Sequence, residues 1–300
     1  MTRADIKAEL RRSACEDRDP FKIDGPTCIS FSGGRTSAYM LYRVLQAHQM
    51  SLPDECVVCF ANTGLEAEET LQFVRDCGKF WNVPITWVEY RNDDQGYAVV
   101  DFDTASRNGE PFKAIIDKRQ YLPNPVTRFC TVELKIRAMH KYLKTLGWRD
   151  LDDGWDQFVG IRADEPRRVA KIRARPSPET TKETMCMPLA DAGIGVQDVG
   201  AFWGAQPFTL GLPSRNGRTT AGNCELCFLK PAAQILSLIR EKPSRAIWWA
   251  EAEAEARASK PSGAVFRSDR PSYAQMLAFT KDQGEMFDKD EEGIACFCGD

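Results

Sequence analysis

The stretch Ser32-Gly33-Gly34-Arg35-Thr36-Ser37 carries the residue types that grip an oxyanion. Adjacent glycines can take positive φ and let a ligand approach the main chain, and Ser32, Thr36, Ser37 and Arg35 surround them with hydroxyls and a cation. The run before it, Thr27-Cys28-Ile29-Ser30-Phe31, is short and apolar, and the run over 38–45 places apolar residues at helical spacing. The pattern predicts strand, tight turn, helix. Such a helix aims its unpaired N–H groups and positive dipole end into the turn, which suits a phosphate or sulfate group. The same residues also fit an ordinary βα connection with a hydroxyl N-cap. No Gly-Lys-Ser/Thr follows at the distance a Walker loop requires.

Thiols are the second chemical resource. Eleven cysteines in a chain that opens without an export signal read as metal ligands, redox groups or small core residues rather than disulfides. Cys56 and Cys59 have C-x-x-C spacing but fall in a predicted strand, where residues three apart point to opposite faces. Cys28 and Cys77 read as small buried thiols, and Cys15 as incidental. Cys224 and Cys227 differ, because they lie in a loop between Gly222-Asn223 and Lys230-Pro231, where two thiolates can turn toward one centre. One pair is half of a tetrahedral site. Cys130, beside Arg128 and ahead of a predicted helix, is the third candidate ligand; Cys186 is preferred over Cys296 or Cys298 as the fourth. A cysteine set with almost no histidine fits an iron–sulfur cluster or a Cys-only zinc site. His48 reads as a helix-end residue and His140 as a surface residue, so a Ser-His-Asp triad is poorly supplied.

Charge supplies a third. Over 162–175, Arg162, Arg167, Arg168, Lys171, Arg173 and Arg175 outnumber Asp164 and Glu165, which makes this loop either an anion clamp or a solvated arginine-rich segment. The formal net charge of -3 argues against coating nucleic acid through bulk electrostatics. With 43% hydrophobic and 28% charged residues over 300 positions, the chain suits a large α/β domain. It shows no apolar run long enough to cross a bilayer, and the expected location is cytoplasmic.

These groups need elements to position them. Strands are expected at 27–31, 56–61, 85–90 and 155–161, and helices at 2–14, 38–45, 66–80, 132–146, 196–203, 231–240 and 244–258. The stretch 96–125 reads as a loop-rich insertion with one short helix near 112–118. The alanine and glutamate alternation after 244 reads as a solvated helix face. Strand and helix alternating at this spacing imply right-handed crossovers and a mostly parallel sheet with helices on both faces. Ligands then collect at the carboxyl ends of the strands, where Ser32-Gly33-Gly34 and Asn62-Thr63-Gly64 share one crevice. The expected organisation is an N-terminal helix and linker over 1–26, a nucleotide-binding α/β domain over 27–190, and a cysteine-containing loop with a helical C-terminal region over 191–300.

Taken together, Ser-Gly-Gly-Arg-Thr-Ser at 32–37, Asn-Thr-Gly at 62–64 with Glu69-Thr70 downstream, Arg128-x-Cys130 with Lys135, and Gly160-Ile161-Arg162-Ala163-Asp164-Glu165 resemble the phosphoadenylyl-sulfate (PAPS) reductase family. That family is similar to the ATP pyrophosphatases of the adenine nucleotide α-hydrolase-like group. The resemblance covers about 27–230 and implies a Rossmann-like fold in which 32–37 holds a phosphate or sulfate group of an adenine nucleotide. It implies that Asn62, Thr63 and Gly64 line the nucleotide crevice, and that Arg128, Lys135, Arg162 and Arg168 contact anions near Gly160. Cys224 and Cys227 resemble the second cysteine pair of cluster-bearing members, which implies a [4Fe-4S] cluster, with zinc as the alternative. Phe129 stands where those members have a further cysteine. The tail Cys296-Phe297-Cys298-Gly299 matches the family's C-terminal reactive cysteine in place and loosely in sequence, so Cys298 or Cys296 is the implied catalytic thiol.

Three readings follow. An oxidoreductase would reduce the sulfur group of a sulfated adenine nucleotide, with a thioredoxin-like dithiol as reductant. A sulfurtransferase of the pyrophosphatase type would use ATP and Mg²⁺ to thiolate tRNA or DNA, with a cysteine desulfurase as a sulfur source. A binding module would keep the nucleotide or cluster and lack the reaction.

Overall fold

The computed structural model describes residues 19–151, 154–174, 182–215, 218–259 and 264–282. The helix expected at 2–14, together with Cys15, Arg175, Cys296 and Cys298, lies outside them.

A six-stranded sheet forms the centre. Its strands are β1 (Thr27–Ser30), β2 (Cys56–Asn62), β3 (Thr86–Tyr90), β4 (Tyr97–Val100), β5 (Trp155–Val159) and β6 (Glu183–Cys186). The spatial order is β4-β3-β2-β1-β5-β6; β3 and β4 are antiparallel, and all other neighbours are parallel. Order runs one way from β1 through β3 and the other way from β5 to β6, so the reversal lies between β1 and β5. In an open sheet a crevice forms at the carboxyl ends of the strands flanking that reversal. Ser30 pairs with Val159 across it, which sets the turn after β1 beside the turn after β5.

Alternation along the strands sorts the core. Ile29, Val58, Phe60 and Trp87 face helices α1 (Arg35–Ala47) and α2 (Glu68–Phe80) in one apolar cluster. Cys28, Cys59, Ala61 and Val88 face the other way with Ala138, Met139 and Leu143. Those last residues belong to α4, a continuous helix through Phe129–Thr131, a π-helical segment Val132–Arg137, and Ala138–Thr145, with Gly147 beyond its end. Cys59 and Cys28 meet on that face while Cys56 packs on the other, as expected for residues three apart in a strand.

Helix α3 (Glu110–Arg119) precedes α4. After β5 come α5 (Pro166–Arg173), the short α6 (Pro188–Asp191) and α7 (Val196–Gly204). A two-residue ladder, Ser214–Arg215 with Arg218–Thr219, leads to the 222–231 loop. Helix α8 (Ala232–Glu241), a 3₁₀ turn Pro243–Ala246, α9 (Ile247–Ser259) and α10 (Tyr273–Asp282) pack on one another beyond it. Their apolar residues Ile235, Trp249 and Tyr273 join the cluster that also holds Phe21 and Ile29, so one apolar core runs from the first described residues to the last helix. Among the described residues, no helix is long and apolar enough to cross a membrane.

Four expectations need correction. The 96–125 stretch contains β4, an edge strand whose Val99 is exposed and whose short, half-polar alternation gives little signal. β6 was not expected: its buried Glu183 gives it a polar look, and that carboxylate is bound by His140 Nε2. His140 is therefore a half-buried partner at the sheet's edge, its ring edge-on to Trp155, and not a surface residue. Glu253, in the supposedly solvated face of α9, is 3% exposed and accepts the N–H groups of Phe266 and Tyr273.

Candidate functional site

The turn after β1 is organised by its own hydroxyls. Ser37 Oγ donates to Gly34 O at 3.1 Å and accepts the Ser32 N–H at 3.1 Å, while Ser32 Oγ lies 2.9 Å away. Gly33 takes φ +77°, and a Cβ there would meet Thr70 Cγ2 of α2 at 2.7 Å. Only glycine fits that approach. The i→i−4 bonds of α1 begin with Ala38 N–H on Gly34 O, leaving the first-turn amides outside the helical ladder. Arg35 Nη2 donates to Leu212 O at 3.4 Å, its Nε is buried with no hydrogen-bond partner, and burial lowers its pKa.

The turn after β5 closes on the same helix. A Cβ at Gly160 would lie 2.8 Å from Ser37 Cα, so the backbones touch. Arg162, 4% exposed, donates Nη1 to Thr36 Oγ1 at 3.1 Å and Nε to Asp164 Oδ1 at 2.8 Å. Its backbone N–H reaches Glu165 Oε2 at 3.0 Å, and Glu165 Oε1 also binds Arg168 Nη1. Arg168 Nη2 is buried and has no hydrogen-bond partner. The segment expected as an arginine-rich loop is mostly α5, which starts on Pro166.

The turn after β2 splits. The Asn62 amide faces inward, donating to Glu89 Oε1 at 2.6 Å and Ser106 O at 2.9 Å. Gly64, at φ +79°, accepts the Gly109 N–H at 2.8 Å. Thr63 alone of the three faces the crevice. Its Oγ1 contacts both Glu66 carboxylate oxygens at 2.9 Å and Cys224 Sγ at 3.3 Å. A bridge between Glu66 and Cys224, and the Glu225 N–H on Leu65 O at 2.9 Å, seat the cysteine loop on this turn. Lys230 Nζ fastens the loop from within, donating to Gly222 O at 2.6 Å and Cys224 O at 2.9 Å. From outside, Arg270 donates to Lys230 O and Phe228 O, and Tyr273 Oη donates to Leu226 O at 2.6 Å.

Between these parts lies a cavity of about 510 Å³, the size of small-molecule sites. Its walls include Thr63, Lys135, Arg162, Arg167, Arg168 and Lys230, with Asp164 and Glu165 as counter-charges and Phe112, Leu134 and Phe228 as an apolar side. Cys130, Cys224 and Cys227 line it as well. Of the residues singled out from sequence, Thr63, Lys135, Arg162, Asp164, Glu165, Arg167, Arg168, Cys130, Cys224 and Cys227 therefore meet. Residues 32–37, Asn62, Gly64, Arg128, Gly160 and Cys186 are not on its walls, and the 32–37 turn borders it through Arg162. Lys230, Glu66 and Phe228 were missed; for Lys230 and Glu66 the available signal was a spacing of three from Cys227 and Thr63.

Cys224 is buried, and desolvation first, then the Glu66 charge, push its thiol up to about 12; Lys135 pulls the other way. Cys186 ends β6, pairs with Phe158 and points its thiol toward Thr184 O, away from the cavity wall. Among the described residues no group of three His, Cys, Asp or Glu is arranged to hold a metal ion.

No family model matches the chain. It is 32% identical over 214 residues to the uncharacterised nin region protein ORF290 of Escherichia phage lambda, covering 69% of this chain and 67% of that protein. It is 27% identical over 169 residues to an uncharacterised protein of Methanocaldococcus jannaschii, covering 56% of this chain but only 29% of the relative. Among solved structures, PAPS reductase from Candida auris, in a phosphate complex, superposes with a TM-score of 0.43 at 14% identity, over 69% of this chain and 92% of that one.

Proposed function

We propose, from the premise that the chain belongs to the same family as the phage lambda nin region protein ORF290, that its cavity binds the phosphate or sulfate end of an adenine nucleotide. On this reading the chain is an enzyme that reduces or transfers a sulfur group carried by that nucleotide. One observation carries the reading: Arg168, whose buried Nη2 has no hydrogen-bond partner, lines the same cavity as Lys135, Arg162 and three thiols. A buried guanidinium donor without a partner is costly, and an oxyanion satisfies it with a charge-assisted bond.

The sequence motifs supply the chemistry. A thiolate, Cys298 or Cys296 by the family resemblance, attacks the sulfate sulfur; an S–S bond forms, the S–O bond breaks, and the nucleotide leaves with its phosphate. Cations on the wall neutralise the charge growing on the leaving oxygen. A thioredoxin-like dithiol then attacks the enzyme sulfur, releasing sulfite and ending as a disulfide.

The gathering of Cys130, Cys224 and Cys227 on one wall favours a second reading, an ATP-dependent sulfurtransferase acting on nucleic acid. The two are separated by products. Protein given adenosine phosphosulfate, its 3′-phosphorylated form, or ATP with Mg²⁺ and tRNA or DNA is assayed for sulfite and for pyrophosphate. Sulfite formed with thioredoxin supports the first, nucleic-acid-stimulated pyrophosphate supports the second, and neither product overturns both.

A further inference from the structure

The contacts around Cys224 suit thiol–disulfide chemistry. Glu66 accepts the Thr63 N–H at 2.9 Å and the Leu65 N–H at 3.2 Å, so its carboxylate is an acceptor toward this turn. Thr63 Oγ1, 2.9 Å from both of its oxygens, spends its only proton there. The hydroxyl oxygen is left to accept from Cys224 Sγ, 3.3 Å away. The result is a directed chain from thiol to hydroxyl to carboxylate. Cys224 is 8% exposed at the base of the chain, while Cys227 is half-buried on the same cavity wall.

The two cysteines close a single turn. Cys227 N–H donates to Cys224 O at 3.1 Å, closing a four-residue turn. Turns of that kind keep their end Cα atoms within about 7 Å, which overlaps the roughly 4.4–6.8 Å span of a disulfide. Lys230, donating to Gly222 O and Cys224 O, and Tyr273, donating to Leu226 O, keep that turn in place.

We propose that Cys224 and Cys227 are a redox-active dithiol in which Cys227 attacks, Cys224 resolves, and Thr63 with Glu66 receives the Cys224 proton. The oxidant is a small disulfide. The Cys227 thiolate bonds to one of its sulfurs, the S–S bond breaks, and one thiolate leaves. Cys224 passes its proton to the hydroxyl–carboxylate chain and attacks Cys227 Sγ, forming the internal disulfide and expelling the second thiolate. Two protein thiols are oxidised and one disulfide is reduced to two thiols. Run in reverse, the pair stores two electrons beside the nucleotide cavity. The inference needs no nucleotide and stands apart from the proposed reaction.

The test uses the whole reduced chain, exposed to glutathione disulfide without nucleotide, quenched in acid, alkylated and mapped by peptide mass spectrometry. Wild-type protein should end with a Cys224–Cys227 disulfide and little retained glutathione. Cys224→Ser should hold a stable glutathione adduct on Cys227. Thr63→Val and Glu66→Gln should accumulate that adduct transiently, closing the ring at least about tenfold more slowly, and Thr63→Ser should close at the wild-type rate. A wild-type adduct on Cys227 that persists, a disulfide to Cys130 instead, or no oxidation at either cysteine would each overturn the proposal, and none of these bears on nucleotide binding.

Discussion

Arg162 Nη1 donates to Thr36 Oγ1 over 3.1 Å, joining the end of β5 to the first turn of α1 at the point where strand order reverses. The same guanidinium binds Asp164, and its backbone binds Glu165, which in turn orients Arg168. One buried side chain therefore couples the 32–37 turn to the cation wall.

Arg162→Ala removes the guanidinium that binds Asp164 and Thr36, while Glu165 keeps Arg168 and the backbone N–H of residue 162. Asp164 is 38% exposed and partly screened by solvent, so the loss should exceed that of the Thr36 bond alone and stay below the roughly 3–5 kcal/mol of a fully buried pair. Thr36→Val removes one charge-assisted bond and should cost about 1.5–3 kcal/mol. Urea unfolding of the two variants should rank them in that order; equal effects would show that Thr36 is the only contact that matters.

Gly160→Ala drives a Cβ to 2.8 Å from Ser37 Cα, where both sides are backbone and neither can rotate away. The expected loss is about 1–3 kcal/mol, read as a lower melting temperature. Gly25→Ala is the control, since a Cβ there meets nothing within 4 Å. Similar melting temperatures for both variants would contradict the close approach of β5 to α1.

Tyr273→Phe removes the hydroxyl that donates to Leu226 O at 2.6 Å, between the two loop cysteines. A carbonyl left unsatisfied by that loss costs about 1–3 kcal/mol, and the loop should open more often. Iodoacetamide labelling of Cys227 should then be faster than in wild type. An unchanged rate with a lowered melting temperature would confine Tyr273 to holding α10.

Burial pushes the Glu253 carboxyl above its ordinary value, against the pull of the Tyr273 and Phe266 N–H groups and of Arg257 and Arg270. The folded chain thus holds that proton more tightly than the unfolded one. Its contribution is full below the ordinary carboxyl range and is lost as pH rises through the raised value. Urea unfolding at steps between about pH 4 and pH 7 should show wild type losing stability relative to Glu253→Gln as pH rises; a gap that widens in favour of wild type would contradict the direction.

Much of the fold could be read from the chain because its signals are local. Ile29, Val58, Phe60 and Trp87 sit in short apolar runs, each followed by a turn and an amphipathic stretch, and a parallel sheet needs little more. The strands that escaped notice are edges, where Val99 faces solvent and Glu183 is paired by a histidine 43 positions away. The site was legible by residue type and not by direction. Thr63 and Asn62 are neighbours with the same polarity, yet one faces the cavity and the other is bound by Glu89, because successive side chains at a strand end leave on opposite faces. Arg35 is legible as a cation beside the turn, but not that Leu212, far along the chain, supplies a carbonyl to its Nη2. Glu253 followed the same rule: only the fold of 264–273 over α9 reveals why an acidic residue in an alanine-rich helix is buried.

The central claim is that the Arg168 wall receives the anionic end of an adenine nucleotide. Equilibrium titration of adenosine phosphosulfate, its 3′-phosphorylated form and ATP into wild type and Arg168→Ala tests it most directly. The account predicts saturable binding of at least one of them, weakened by about 10- to 150-fold in the variant, with both proteins shown by a cooperative unfolding transition to be folded at the assay temperature. Equal affinity in the two proteins, or no binding of any of the three to wild type, would contradict it.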